Sequence, residues 1–182
     1  MKKINIALII LVSIMSLISI VLNPEEEFVF LLKDLSVILT LVVPYIFEKV
    51  FGKDLGDGFK LMWIIFIFMA HYLGVINHLY DKFYYFDKIV HMLSGVITAY
   101  VAMLILDKKI KSVNFAILFI VSFSALCAVS WEIFEFTCNL LVGGDAQRVA
   151  LTGVDDTMLD MIVALIGALG FGLYYCNLKR TS

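Results

Sequence analysis

Proline occurs only twice and cysteine three times in this 182-residue chain, and charged residues make up only 16% of it. Two prolines argue against a linker-rich architecture. Three cysteines are an odd number, none of them in a CxxC spacing, so Cys127, Cys138 and Cys176 read as small apolar packing residues rather than a disulfide framework. Basic excess is missing as well: 14 Lys and Arg stand against 16 Asp and Glu, a formal net charge of −2. That leaves no electrostatic footprint for nucleic acid. A soluble domain usually carries about 25% charged residues, so the scarcity of charge excludes an ordinary soluble domain and a disordered chain alike. What is abundant is apolar: 62% of residues are hydrophobic, 14% are aromatic, and the mean hydropathy is +0.99. The expected fold class is all-α, a polytopic transmembrane helix bundle. The length accommodates about six spans of roughly 20 residues each in a single integral membrane domain, 1–182.

Six apolar segments carry this expectation, at about 4–22, 29–51, 60–79, 86–106, 113–141 and 156–178. The first follows Met1-Lys2-Lys3, as a signal peptide would, but it is longer than a usual signal core and no small-residue cleavage site follows. It reads as an uncleaved transmembrane helix. Pro44 should remove a backbone hydrogen bond from the second segment and bend it. The fifth exceeds what a bilayer requires, so it should tilt or project. With the N-terminus inside, ten Lys and Arg fall in inner segments (Lys2, Lys3, Lys49, Lys53, Lys60, Lys108, Lys109, Lys111, Lys179 and Arg180) and four in outer ones (Lys33, Lys82, Lys88 and Arg148). The positive-inside rule then places both termini in the cytoplasm. Glu25, Glu26 and Glu27 fall in an outer loop, and residues 142–155, with three glycines, form the longest one.

Ionisable side chains inside apolar helices are costly and mark function or tightly paired structure. In this orientation they gather on the outer side. His71 and His78 lie in the outward half of the third segment, and Asp87 and His91 open the fourth. Glu132 and Glu135 lie toward the outer end of the fifth, and Asp155, Asp156 and Asp160 open the sixth. At about 1.5 Å rise per residue they occupy one layer roughly 10 Å deep, and it holds all three histidines of the chain. Spacing selects faces: Asp87/His91 and Asp156/Asp160 are i,i+4, Glu132/Glu135 are i,i+3, and His71 and His78 are two turns apart with Gly74 between them to permit close approach. Asp160 is followed by Ala164, Gly167, Ala168 and Gly172, small residues that let helices pack tightly in lipid.

Imidazole nitrogen and carboxylate oxygen together suit a divalent zinc, iron or manganese ion, and one helix can supply two ligands at i,i+3 or i,i+4. The candidate ligands are His91, Asp87, Glu132, Glu135, Asp156, Asp160, His71 and His78. The candidate catalytic groups are Asp87, His91, Glu132, Glu135 and Asp160. A metal would offset the mutual repulsion of the carboxylates, which must otherwise be protonated or paired with Lys88 or Arg148. It would also activate water or polarise a phosphoryl or carbonyl oxygen. A metal-free His–carboxylate pair could act as general acid and base instead. Bland roles exist for each residue: helix caps for Asp87, Asp155 and Asp156, hydrogen-bonded packing for His71 and His78, and an ion-paired structural network for the whole layer. Tyr80, Tyr84, Tyr85 and Phe86 read as an interfacial aromatic belt, and Met158 and Met161 as packing.

Three blocks carry a family resemblance. Tyr85-Phe86-Asp87-Lys88-Ile89-Val90-His91 with Ser94-Gly95 resembles the D-x-x-x-H-x-x-x-G signature of the YjdF-like inner-membrane proteins. Trp131-Glu132-Ile133-Phe134-Glu135-Phe136 looks like that family's aromatic-E-x-x-E-aromatic element. Asp156-Thr157-Met158-Leu159-Asp160-Met161, with Gly167-Ala168, is similar to its D-T-x-x-D-M…G-A element. The wider relatives are the VanZ-like proteins, linked to glycopeptide resistance. Their D-K-x-x-H element is matched by Asp87, Lys88 and His91, whereas their later asparagine is replaced by Ala164, as in the YjdF-like group. The resemblance implies a multi-helix membrane protein and supports the site residues without naming a reaction.

Three functions follow as expectations. One is metal-assisted hydrolysis or group transfer on a lipid headgroup or lipid-linked envelope precursor, with loop 142–155 as a lid. Another is a non-catalytic envelope-binding or antibiotic-resistance (immunity) protein that sequesters a small molecule. The third, a cation or proton carrier, is disfavoured because ionisable residues do not continue through the inner half. The expected partners are membrane lipids and an envelope small molecule.

Overall fold

The computed structural model describes residues 1–22, 28–106, 112–143, 145 and 147–181. Among these residues the regular structure is entirely helical. Glu25, Glu26, Glu27, Lys108, Lys109, Lys111 and Gly144, with the side chains of Lys33, Lys179 and Arg180, lie outside the described part. Among the described residues five helices are long and apolar enough to cross a membrane: Lys2–Leu22, Asp57–Ile76, Tyr84–Ile105, Val113–Leu141 and Asp155–Asn177. The burial pattern is that of a chain dissolved in lipid. Leu118, Leu126, Leu140 and Ile133 point outward, while Asn5, Ser16, Lys88, Ser124, Glu132, Asp156 and Asp160 are buried. In hydrocarbon an outward leucine costs nothing, and a polar group needs partners within the protein.

The chain divides into two compact units, 1–87 and 88–182. The first contains α1 (Lys2–Leu22), α2 (Phe28–Leu41), α3 (Val43–Phe51), α4 (Asp57–Ile67), a π-helical segment Phe68–Ile76, and the short α5 (Leu79–Lys82). Its core joins Val12 of α1, Val37 and Leu41 of α2, and Ile64 and Ile67 of α4. The second segment expected from sequence is divided at Val42, where α3 begins with Pro44 in its first turn. Proline has no N–H to offer the carbonyl four residues back, which here is that of Thr40. The indole of Trp63 on α4 donates to the Thr40 carbonyl instead, at 2.8 Å. A bond lost within one helix is thereby replaced by one between two.

The third expected span, 60–79, differs more. Its hydrogen bonds widen from Phe68 onward, and the segment closes with the Asn77 N–H on the Tyr72 carbonyl, five residues back, at 3.0 Å. His78 then takes a left-handed conformation at φ 56° and caps α5. His71 and His78 therefore do not share a helical face, because the seven-residue spacing was read with α-helical turns that this stretch does not have. Gly74 does permit a close approach, but the occupant is the Tyr80 ring, which lies where a Cβ would be. Tyr80 also packs on Phe86, with ring centroids 5.5 Å apart.

At the far end of this unit a polar cluster is built on Glu48. Its carboxylate accepts the Leu55 N–H at 2.7 Å and meets Lys60 at 2.8 Å. Asp54, in the adjoining loop, accepts the Gly56 N–H at 2.8 Å, and this bond is the main cause that holds its carboxyl below the ordinary value.

The second unit consists of α6 (Tyr84–Ile105), α7 (Val113–Val142), the short α8 (Val149–Thr152) and α9 (Asp155–Thr181). The border at residue 87 falls within the first turn of α6, and the helix is continuous through it. Ser112 caps α7, accepting the Phe115 N–H at 3.3 Å. Ala99, Ala102, Ile120 and Ala168 form the core, flanked by Phe119, Phe123 and Phe171. Small residues set the spacing of α6 and α9. A Cβ on Gly95 would collide with the Ala164 carbonyl, and one on Gly167 with the Met92 carbonyl. Both contacts are with backbone, so the helices cross at the closest distance that glycine allows.

Candidate functional site

The close crossing of α6 and α9 has an electrostatic consequence one to two turns away. Lys88 lies on the face of α6 directed at α9, where snorkelling to water is closed to it. It is 8% exposed, and its ammonium group donates to Asp156 Oδ1 at 2.6 Å and Asp160 Oδ1 at 2.7 Å. The Asp156 backbone carbonyl stands 3.4 Å from the same nitrogen. The i,i+4 spacing of Asp156 and Asp160 is what lets one ammonium bridge both. Charges this deeply placed require such pairing, since an unpaired one costs several kcal/mol. Asp156 is nevertheless only half satisfied: its Oδ2 is buried without a hydrogen-bond partner among the described residues.

His91, one turn after Asp87, brings its Nε2 to 3.9 Å from Asp160 Oδ1. Asp87, His91 and Asp160 each offer one ligand atom, and these atoms lie within 4.8 Å of one another. Ligands sharing a zinc ion at about 2.0–2.2 Å stand roughly 3–4 Å apart, so the trio is looser than a closed centre by about an ångström. One imidazole and two carboxylates suit zinc, manganese or iron. Asp87 belongs to the first turn of α6 rather than to its cap, since the helix opens at Tyr84.

The other expected site residues are placed differently. Glu132 is buried on α7, where Gln147 donates from Nε2 to its carbonyl at 3.1 Å and to its Oε2 at 3.2 Å. Glu135 accepts the Trp131 indole N–H at 2.8 Å, one turn along the same helix. Neither glutamate belongs to the trio. His71 meets Ser36 across α2 and the π-helical segment, with Nδ1 3.3 Å from Oγ. This is the hydrogen-bonded packing role. His78 pairs with exposed Asp81 at 3.4 Å. Gln147 has no counterpart in the sequence reading. A lone glutamine in a glycine-rich loop gives no periodic signal, and only the buried Glu132 it answers could have pointed to it.

Comparison with known proteins agrees with the membrane character of these helices. Residues 4–180 match the family described as "Predicted membrane protein (DUF2238)". An uncharacterized protein of Thermotoga maritima is 31% identical over 174 residues, covering 91% of this chain and 85% of that protein. No solved structure matches. With the family match running from α1 to the end of α9, the chain belongs to the DUF2238 family of predicted membrane proteins.

Proposed function

We propose that this protein is a multi-pass enzyme of the bacterial cytoplasmic membrane whose Asp87–His91–Asp160 trio holds one divalent cation. Its chemistry would be metal-assisted hydrolysis or group transfer on a lipid headgroup or lipid-linked envelope precursor. The observation that carries the reading is the convergence of the three ligand atoms within 4.8 Å, on the edge of a buried ammonium–carboxylate bridge. The ammonium of Lys88 offsets part of the charge of Asp156 and Asp160, and a divalent cation would offset more. An anionic headgroup would meet this acidic surrounding unfavourably, so such a substrate needs the metal as its bridge. His91 and Asp160 would hold the ion from two helices. Asp87 would complete the ligand set or serve as the general base beside it. Glu132 and Glu135 lie outside the trio and would serve as substrate-positioning groups rather than ligands.

Family membership supports the membrane setting. The YjdF-like kinship of the three sequence blocks, the more distant VanZ-like one and the outer-leaflet orientation are parts of the same proposal. Elemental analysis of detergent-purified protein tests it. Close to one zinc, manganese or iron ion per chain is expected, lost in His91→Ala and Asp160→Asn and kept in His71→Ala and His78→Ala. A metal-free wild-type protein, or full retention in His91→Ala, refutes it. Headgroup release from membrane lipid extracts, measured by mass spectrometry, then separates an enzyme from a binding protein that carries the same ion.

A further inference from the structure

We infer that Lys88 occupies the place of a second metal ion, so that the centre takes one divalent cation and works by one-metal chemistry. The inference rests on the metal reading above and specifies its nuclearity. Helix bundles whose facing helices supply carboxylates and histidines at one-turn spacing can hold two ions in their core, and paired catalytic ions stand about 3.5–4 Å apart. Here Asp160 is the shared group. Its Oδ1 is 3.9 Å from His91 Nε2 on one side and 2.7 Å from Lys88 Nζ on the other. The ammonium completes the second position by also meeting Asp156 Oδ1 at 2.6 Å. It thus sits between two carboxylates of one helix as a cation would.

Charge and donor number point the same way. The ammonium already offsets part of the charge of Asp156 and Asp160, which it bridges. A second divalent ion beside the charged lysine would set like charges a few ångströms apart in a buried, poorly polarisable site. Asp156 also has coordinating capacity to spare. Its side chain is 1% exposed, and its Oδ2 has no hydrogen-bond partner among the described residues, so the carboxylate that holds Lys88 keeps a donor atom that the lysine does not use.

Manganese titration with electron paramagnetic resonance reads the nuclearity directly. Wild-type protein should saturate at one Mn²⁺ per chain with the six-line signal of an isolated ion. Lys88→Gln should bind two, with the broadened signal of a coupled pair. Lys88→Arg, which keeps the charge, should stay at one. Asp156→Asn removes the lysine's partner but no ligand of the first ion, so it should also keep one. Two ions in the wild type, one uncoupled ion in Lys88→Gln, or loss of the ion in Asp156→Asn would each overturn the inference. The wild-type and Asp156→Asn results can still overturn it if Lys88→Gln does not fold. No ion in any variant refutes the metal reading itself, a failure distinguishable from a wrong nuclearity.

Discussion

Replacing Gly95 by alanine adds one methyl group at the closest point of α6 and α9. That methyl would overlap the carbonyl of Ala164 and crowd its Cα. Backbone cannot rotate aside as a side chain would, so relief requires the helices to separate. Overpacking of this kind costs typically 1–3 kcal/mol, and a backbone obstacle places Gly95→Ala near the upper end, about 3 kcal/mol. Alanine is the better helix former by about 1 kcal/mol, which leaves a net loss of about 2 kcal/mol. For a chain of this size that lowers the melting temperature by roughly 4–8 °C. Gly170, on α9, supplies the control, since nothing lies within 4 Å of a Cβ there. Gly170→Ala gains only the propensity term and should melt no lower than the wild type. The assay is thermal unfolding in detergent, followed by a thiol-reactive dye at the buried Cys176. Equal melting temperatures for the two variants would refute the claim that glycine sets the α6–α9 distance. Separation should also lengthen the Lys88–Asp160 contact, now 2.7 Å, so metal content should fall with stability in Gly95→Ala.

Trp63→Phe should destabilise by about 1–3 kcal/mol, because it leaves the part-buried Thr40 carbonyl without its donor. In a Pro44→Ala background the restored N–H can serve that carbonyl, so the same change should cost clearly less; strict additivity in a thermal double-mutant cycle would contradict the account. Gln147→Ala should cost about 1.5–3 kcal/mol through the loss of bonds to a charged partner. Gln147→Glu should cost more, since it sets a second carboxylate against buried Glu132. A glutamate variant as stable as the alanine one would show that Glu132 is not held as an anion there.

The helices and the trio were legible for different reasons. Apolar length alone marks α1, α6, α7 and α9, because lipid leaves a chain few other ways to satisfy its backbone. The i,i+4 pairs were legible because a helix converts spacing into facing, so Asp87 with His91, and Asp156 with Asp160, needed only the knowledge that α6 and α9 meet. Lys88 was visible as a charge in need of a partner, but not as the residue that bridges two. That depends on Gly95 and Gly167 bringing the backbones together. His78 was misplaced because one widened stretch, Phe68–Ile76, changes the number of residues per turn, and hydropathy is blind to that number. Glu132 and Glu135 share a helix face, yet their partners are Gln147 and Trp131 respectively. Intramembrane carboxylates are conspicuous in sequence, but what answers them is not.

The Trp63–Thr40 bond fixes more than a distance. An indole N–H has one direction, and Thr40 presents one freed carbonyl, so the bond favours one rotational phase of α4 about its own axis. The π-helical stretch begins five residues later in the same run. That phase is compatible with His71 facing Ser36 of α2, twenty-seven positions after the proline that left the carbonyl open. The single irregularity of one helix acts as the angular reference for the next.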